Sequence, residues 1–284
     1  MNKMPNHRDK EYGGAWPVED KDVIEFLLTH NGVSHHKKFI NDYYEWFKKP
    51  HTLRGVENFK HLAFCNGTTE AFDKFYIKHM SRRLRFLQGE YFYHQIVAKR
   101  FFQRSSCIGP NIDIGSNDVV VMSVPFSDTG NVPELYNDIM EACEQLNVPV
   151  LLDMAYINLA VDLDINLQYN CIDTITTSLS KVFPVSNWRI GMRLQQHNID
   201  DTLDAYEINS YLNTNSVNVG HKLIKRYGAD YSYNKYKDKQ YAMCKTLNLS
   251  PSESYIFGID EKNLYPEYNR GGTTNRLCFA KHFK

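Results

Sequence analysis

The sequence lacks most of the features that would assign it to a specialised class of protein. Its 33 basic and 33 acidic residues leave no formal net charge at pH 7, so no overall field attracts nucleic acid or an acidic membrane. Its six cysteines form no C-x-x-C pair and no cluster with histidine, which argues against a zinc knuckle or a disulfide framework. No apolar run approaches transmembrane length, and residues 1–10 are charged where a secretion signal needs apolar residues. We therefore expect a cytoplasmic protein that binds no nucleic acid, membrane or metal.

The chain does have the composition of a globular protein, with 284 residues of which 42% are hydrophobic and 23% charged. Apolar runs typical of buried strands, at residues 118–124 and 148–153, are separated by an amphipathic helical pattern at residues 132–146. This alternation indicates parallel strands covered by helices on both faces. We predict an α/β fold, with a three-layer α/β/α large domain and a mostly parallel central sheet over residues 23–229.

The pattern changes in the last third of the chain. Helical patterns, one of them predicted over residues 199–212, are followed by two short strand-like runs, at residues 254–260 and 276–280. Residues 230–284, together with residues 1–22, are predicted to form a reduced small α+β domain.

One candidate functional element is a carboxylate at the end of a buried strand. Asp153 follows an entirely apolar run, and Tyr156 comes three residues later. Ligands of parallel sheets bind beyond the carboxyl ends of the strands, and a carboxylate there is costly unless it meets a cation or a proton donor. The alternative is a helix cap or a surface turn.

A second element surrounds a lysine. Ser178, Ser180 and Lys181 follow the apparent strand at residues 174–177, and Arg189 comes eight positions after the lysine. A lysine is nucleophilic only as the free amine, which requires a lowered pKa, and hydroxyls with a guanidinium group are suited to binding phosphate. A lone lysine in a polar loop is otherwise simply solvated.

Together the two elements resemble the fold-type I pyridoxal-phosphate (PLP) enzymes of the class I/II aminotransferase, or aspartate aminotransferase, superfamily. That family has a D-x-x-Y element, then S-x-[ST]-K, then R-[IV]-G eight residues beyond the lysine. The resemblance implies that Lys181 forms an aldimine with PLP and moves the proton between the α-carbon and C4′. It implies that Asp153 pairs with the ring nitrogen and that Tyr156 hydrogen-bonds O3′. It implies that Arg189 and Ser178 hold the phosphate and that Ser180 is a further cofactor-binding residue.

Further matches concern cofactor contacts. Gly67, Thr68 and Thr69 precede a helical pattern and resemble the family's phosphate loop, although such a sequence is also an ordinary helix N-terminus. Tyr91 is at the position where the family stacks an aromatic ring on the pyridine, with core packing as the alternative.

Two matches concern the substrate. Arg276 resembles the family's arginine that binds the substrate α-carboxylate, the alternative being a surface arginine on the last strand. Gly14, within residues 12–17, resembles the segment that lines the substrate entrance, the alternative being a turn with a packing anchor.

The sequence also departs from the family. At the position of its asparagine, which bonds O3′, this chain has Ser127, so Ser127 or a water takes that role beside Tyr156. The chain is also short for the family, so the way in which the family recognises the substrate side chain cannot be transferred to this chain.

The resemblance implies an aminotransferase that moves an amino group from an L-α-amino acid to a 2-oxo acid. The alternatives are another PLP reaction, namely that of a C–S lyase, a decarboxylase or an amino-acid oxidase, and a PLP-binding protein without turnover. A homodimer is also implied, because residues 213–220 resemble the family's interface segment.

Overall fold

A computed structural model describes residues 10–29, 36–198, 200–272 and 274–283, except the side chains of residues 28 and 29. Its α-helices are α1 (Lys21–Thr29), α2 (His36–Lys48), α3 (Thr68–His79), α4 (Tyr136–Leu146), α5 (Thr202–Asn209), α6 (Thr214–Arg226) and α7 (Tyr231–Leu247). Its strands are β1 (Thr52–Arg54), β2 (His61–Asn66), β3 (Arg83–Leu87), β4 (Ser105–Ile108), β5 (Asp118–Ser123), β6 (Val150–Asp153), β7 (Asp164–Asn166), β8 (Ile172–Ser178), β9 (Ile190–Gln195), β10 (Ser250–Pro251), β11 (Phe257–Asp260) and β12 (Asn275–Cys278).

The centre of the molecule is a seven-stranded sheet in the order β2-β9-β8-β6-β5-β3-β4. The pairs from β8 to β4 are parallel, whereas β9 runs antiparallel to both β2 and β8. The predicted α/β fold with a mostly parallel central sheet is therefore confirmed.

Helices cover both faces of this sheet, because the apolar residues of its strands point alternately to each side. Val119 and Val121 of β5 pack in a cluster with the aromatic residues of α3, whereas Val120 and Met122 pack in the main core, which also contains Ile139 of α4. All six residues of β5 are buried. This two-sided burial accounts for the continuous apolar run in the sequence.

The C-terminal part contains α7 and an antiparallel sheet of β10, β11 and β12. The Gln240 side chain on α7 donates to the main-chain carbonyls of Ser252, Ser254 and Phe257. Residues 10–20 contact this part, where Asp20 accepts hydrogen bonds from side chains of α7. The division at residues 229 and 230 stays a prediction, and residues 1–9 lie outside the described part of the chain.

Several boundaries differ from the sequence predictions. Residues 93–102, whose sequence pattern predicts one helix, form two short helical turns, Tyr93–Val97 and Ala98–Arg100. The helix predicted from residue 132 begins at Tyr136, because Pro133 disfavours helical backbone at the residue before it. Residue 199, the predicted start of a later helix, lies outside the described residues.

Two observations concern the expected cytoplasmic location of the protein. No α-helix among the described residues is long and apolar enough to cross a membrane. All six cysteines are free thiols, and Cys107 is the exposed one.

The packing of α6 depends on a glycine. A Cβ atom at Gly220 would lie 2.7 Å from Cζ of Phe39 and 3.0 Å from Cγ2 of Ile190. Both neighbours are fully buried, so neither can move without disturbing the core.

We predict that Gly220→Ala lowers the free energy of unfolding by about 1 kcal/mol, because overpacking a core costs about 1–3 kcal/mol and the helix propensity of alanine returns about 1 kcal/mol. Urea unfolding measures the change. Gly109→Ala is the matched control, since its Cβ would meet no atom within 4 Å. A Gly220→Ala protein more stable than wild type would contradict this packing.

Candidate active site

A cavity of about 170 Å³ lies at the carboxyl ends of β5, β6 and β8. Most of the residues predicted from the sequence line it, although they come from distant parts of the chain. The lining residues are Trp16, Thr68, Thr69, Tyr91, Ser123, Pro125, Ser127, Asp153, Ala155, Tyr156, Ser178, Ser180, Lys181, Ser186 and Arg189. Three predicted residues, Gly14, Gly67 and Arg276, lie behind this lining and contact it, as described below.

Asp153 provides a buried carboxylate at the wall of the cavity. It ends β6, between Ser123 of β5 and Thr176 of β8 in the sheet register. Its Oδ1 accepts a hydrogen bond from the Ala155 amide at 3.0 Å, and its Oδ2 lies 3.4 Å from Nε2 of His94. Asp153 is therefore not part of a surface turn, because its second carboxylate oxygen faces a buried imidazole.

His94 was missed in the sequence analysis. Its ring is fully buried, packs 4.6 Å from the ring of Phe72, and contacts the Tyr76 hydroxyl through Nδ1. The sequence signal is its position three residues after Tyr91, which places both side chains on one side of a helical turn. Nδ1 of His94 contacts the Tyr76 hydroxyl, and Nε2 faces Asp153. The contact at Nδ1 therefore determines whether Nε2 presents a hydrogen atom or a lone pair to Asp153.

Lys181 lies just after β8, with its amine at the cavity. Nζ donates a hydrogen bond to the main-chain carbonyl of Ala15 at 3.0 Å. Burial, together with the positive charge of Arg276, holds the pKa of this amine below its ordinary value. A larger fraction of Lys181 is therefore in the nucleophilic, uncharged form than for a solvated lysine.

Tyr156 has an unusual acidity for a buried tyrosine. Burial alone raises a phenol pKa, but the positive charges of Arg276, Lys181 and Arg270 outweigh it and hold the pKa of Tyr156 below its ordinary value. Its ring packs 5.4 Å from the ring of Phe257. The hydroxyl is therefore a strong hydrogen-bond donor to an oxygen in the cavity.

Arg189 and the start of α3 supply hydrogen-bond donors to the cavity wall. Nη2 of Arg189 donates to the Thr69 hydroxyl at 3.2 Å. A Cβ atom at Gly67 would overlap this guanidinium group, so glycine is needed for the close approach. Thr68 and Thr69 are the first residues of α3, where main-chain amides lack helical partners and can bind an anion.

The backbone around Arg189 is also unusual. Its φ of 54° lies in the left-handed region, which a residue with a side chain adopts only when its surroundings hold it there. The Ser178 hydroxyl donates to the carbonyl of Ile190 and accepts from the Ser180 amide at 3.1 Å. These contacts hold the segment from Ser178 to Arg189 against the cavity.

Arg276 is not the surface arginine of the alternative interpretation, because only 2% of it is exposed. Its guanidinium donates to the carbonyl of Ser127 and, at 2.8 Å, to that of Gly14, and it lies 4.0 Å above the ring of Phe257. It thus joins the N-terminal segment to the cavity wall.

The residues present fit pyridoxal phosphate. The hydroxyls of Ser127 and Ser180 line the cavity, are buried and have no hydrogen-bond partner among the described residues, so a polar ligand is needed to satisfy them. The cavity wall also supplies donors suited to a phosphate, a carboxylate suited to a protonated ring nitrogen, and the amine of Lys181.

Comparison with known proteins agrees with this site. Residues 110–223 match the family model described as aminotransferase class I and II. No curated protein sequence matches the chain. Among solved structures, the chain is similar to a tyrosine aminotransferase from Leishmania infantum, with 12% identity and a TM-score of 0.66 over 94% of this chain and 88% of that one.

Two further structures are similar. One is an aromatic aminotransferase from Pyrococcus horikoshii OT3, with 12% identity and a TM-score of 0.67 over 96% of this chain and 90% of that one. The other is a protein from Corynebacterium diphtheriae described as a putative PLP-dependent β-cystathionase, with 13% identity and a TM-score of 0.63 over 96% and 90% of the two chains.

At such low identity these structures establish the fold alone, and the family model covers residues 110–223. Over that segment the chain matches the model of the superfamily that the sequence resembles, and the similar structures share the predicted fold.

We predict that His94→Phe lowers the free energy of unfolding by about 2 kcal/mol, because the buried Asp153 carboxylate loses a polar neighbour while ring volume is kept. Tyr76→Phe is the matched control, because it removes only the hydroxyl on the far side of the imidazole, and we expect a loss of about 1 kcal/mol. Urea unfolding measures both. Equal stability of His94→Phe and wild type would show that the imidazole does not support the carboxylate.

Proposed function

We propose that this protein is a PLP-dependent aminotransferase that moves an amino group from an L-α-amino acid to a 2-oxo acid. The observation that carries the proposal is the Lys181 amine in one cavity with Asp153, Tyr156 and Arg189. These are the residue types that PLP chemistry requires, and all four line one cavity.

When bound, pyridoxal phosphate supplies an aldehyde that reacts with amines and a pyridine ring that withdraws electrons from the substrate α-carbon. Arg189, the hydroxyl of Thr69 and the first amides of α3 would bind its phosphate. The free hydroxyl of Ser180 is a further donor to that group.

Lys181 would perform two tasks. Its lowered pKa favours the free amine, which is the form that attacks an aldehyde. Once the amino group of the substrate has taken its place, the same amine would remove the proton from the α-carbon and deliver it to the carbon of the former aldehyde, on the other side of the substrate nitrogen. For this it has to leave the carbonyl of Ala15, to which it is hydrogen-bonded.

Asp153 and Tyr156 would set the electronic state of the ring. The carboxylate of Asp153 would hold a proton on the ring nitrogen, and His94 supports that carboxylate from behind. The acidic hydroxyl of Tyr156 would donate to the ring oxygen. Because Ser127 replaces the usual asparagine, its free hydroxyl is the second candidate donor to that oxygen.

The substrate would be held by Arg276, whose buried guanidinium is suited to a carboxylate. Gly14 and Trp16 belong to the N-terminal segment beside the cavity. This segment would limit the access of water to the reacting atoms, which strengthens the electrostatic interactions there.

A second candidate is elimination from a sulfur-containing amino acid. The structural neighbour described as a β-cystathionase supports it, and the residues that hold the cofactor would be the same. The two reactions differ in their products, because transamination consumes a 2-oxo acid acceptor in equal amount, whereas elimination releases ammonia without an acceptor.

We also propose a cytoplasmic homodimer. The free thiols agree with a reducing compartment. Ile208 and Tyr211 are 70% and 74% exposed, and they lie just before α6, whose Ser216 donates to the carbonyl of Trp188 beside Arg189. Exposed apolar side chains next to a helix that contacts the site are suited to an interface with a second copy.

The Lys181 assignment is tested with absorbance spectra of the purified protein mixed with pyridoxal phosphate. We expect wild type to show a near-visible band that bleaches on addition of L-amino acids. We expect Lys181→Ala to lack the lysine-dependent band and to lose about 10²- to 10⁴-fold in transamination rate, which is the usual contribution of a general acid–base group.

Lys262→Ala is the matched control, because Lys262 is exposed, bonds Asn248 on the surface and does not line the cavity. No band in wild type would overturn the proposal. A lysine-dependent band that is indifferent to amino acids would instead favour a PLP-binding protein without turnover, and ammonia release without an acceptor would favour the lyase.

The homodimer is tested by the mass of the protein in solution, measured by light scattering. We expect wild type to have the mass of two chains. Ile208→Asp with Tyr211→Ser should weaken association at least about 100-fold, since removing interface anchors costs about 2 kcal/mol or more each. Ile77→Asp, at an exposed position of α3, should leave the dimer intact, and a monomeric wild type would disprove the proposal.

A further inference from the structure

A second buried carboxylate contacts residues of the cavity wall. Glu90 follows β3, and only 1% of it is exposed. Among the described residues it forms no ion pair, in contrast to the buried Asp118, which pairs with Arg83 and Arg85. A buried carboxylate is costly unless hydrogen bonds compensate it. The groups that donate to Glu90 therefore account for its presence at this place.

The Glu90 side chain accepts three hydrogen bonds, and all come from residues that line the cavity. Its Oε1 accepts from the Tyr91 amide at 2.7 Å and from the Ser123 hydroxyl. Its Oε2 accepts from the Ser123 amide at 2.8 Å. Because Glu90 follows β3 and Ser123 ends β5, the carboxylate joins the ends of two neighbouring parallel strands.

The Ser123 hydroxyl connects Glu90 to Ser127. Its oxygen accepts a hydrogen bond from the Ser127 amide at 3.1 Å. An ionised carboxylate can only accept, so the hydroxyl hydrogen of Ser123 points to Glu90 and the lone pairs of its oxygen are available to that amide. Glu90 therefore fixes the orientation of the hydroxyl to which the main chain of Ser127 is bonded.

Ser127 is held on both sides of its main chain. Its amide donates to Ser123, and its carbonyl accepts from Arg276. Its own hydroxyl lines the cavity, is buried and has no partner among the described residues. Since this hydroxyl is the second candidate donor to the ring oxygen of the cofactor, its position bears directly on how the cofactor binds.

We propose that Glu90 is a positioning residue that, through Ser123, places the Ser127 hydroxyl toward the ring oxygen of pyridoxal phosphate. The inference rests on the proposed function. Glu90 does not itself line the cavity, so it acts through the two serines. A glutamine of the same size cannot replace it, because a side-chain amide has one acceptor oxygen where three donors converge, and its NH₂ group would face a donor.

The test compares two ligands that differ in one group. Pyridoxal 5′-phosphate carries the ring oxygen, and 3-deoxypyridoxal 5′-phosphate has hydrogen in its place. Binding of each is followed by the quenching of tryptophan fluorescence, since Trp16 lines the cavity. We expect Glu90→Gln to weaken binding of pyridoxal phosphate about 5- to 10-fold, the usual loss for a hydrogen bond, and to leave binding of the deoxy compound unchanged. Glu141→Gln, at an exposed position of α4, should change neither.

A double variant tests the route through Ser127. We expect Ser127→Ala to cause a similar loss with pyridoxal phosphate, because it removes the donating hydroxyl itself. In that background Glu90→Gln should cause no further loss, since residues that act through one group are not additive. An equal fold-loss from Glu90→Gln in both backgrounds would show that Glu90 acts by another route, and the inference would be wrong.

Unchanged binding of pyridoxal phosphate by Glu90→Gln would also overturn the inference. So would an equal loss for the two ligands, because a general loosening of the fold produces that result. Circular dichroism verifies that the variant is folded. If it is not, Ser123→Ala breaks the same series of hydrogen bonds at its middle, and the same expected and contradicting results apply to it.

Failure of the proposed function gives a different result. A wild type that binds neither ligand contradicts the proposed function and, with it, the inference. A wild type with the lysine-dependent near-visible band whose affinity for pyridoxal phosphate does not depend on Glu90 contradicts only the inference, so the two failures are distinguishable.

Discussion

The parallel register of β5, β6 and β8 is the constraint on which the rest of the site depends. Because these strands run in the same direction, their carboxyl ends meet at one edge, and Ser123, Asp153 and Thr176 lie side by side there. The segment after β8 begins at the same edge and carries Lys181. Because β9 runs antiparallel to β8, it begins at that edge. Arg189, the residue immediately before β9, therefore lies there too. Residues that are far apart in the sequence therefore line one cavity, because each lies close to a strand end at this edge.

The second organising feature is charge. Lys181 and Arg189 line the cavity and Arg276 lies behind its wall, and main-chain carbonyls of the N-terminal segment partly compensate them, since Gly14 accepts from Arg276 and Ala15 from Lys181. Such carbonyls satisfy donors but carry no net charge. A phosphate at Arg189 and a carboxylate at Arg276 would supply the balancing negative charge. Burial, with the charge of Arg276, lowers the pKa of Lys181, whereas for Tyr156 the nearby positive charges lower the pKa against the effect of burial.

The sequence predicted the residues that follow strand ends, because their placement depends on local pattern and spacing alone. Asp153, Tyr156, Lys181 and Arg189 were predicted in this way, and the structure brings them together. His94 could not be assigned in this way, since its contact with Asp153 depends on how a short helical turn packs under the sheet.

Edge strands were also missed, for a physical reason. β2 contains polar residues at both ends and few β-branched ones, so its short pattern does not distinguish a strand from a loop. It is identified only by its pairing with β9. The sheet that positions the site could thus be predicted at its centre, where burial on both faces imposes a continuous apolar run, but not at its edges.

Thermal unfolding with two ligands shows whether this cavity is built for a pyridine ring carrying a phosphate. We expect pyridoxal 5′-phosphate at about 100 times its Kd to stabilise the fold by about 2.7 kcal/mol, which is a rise in Tm of about 5 °C or more for a chain of this size. Pyridoxal without the phosphate, at the same concentration, should raise Tm far less. Equal shifts for the two ligands, or no shift for either, would show that the cavity does not bind such a ring through its phosphate.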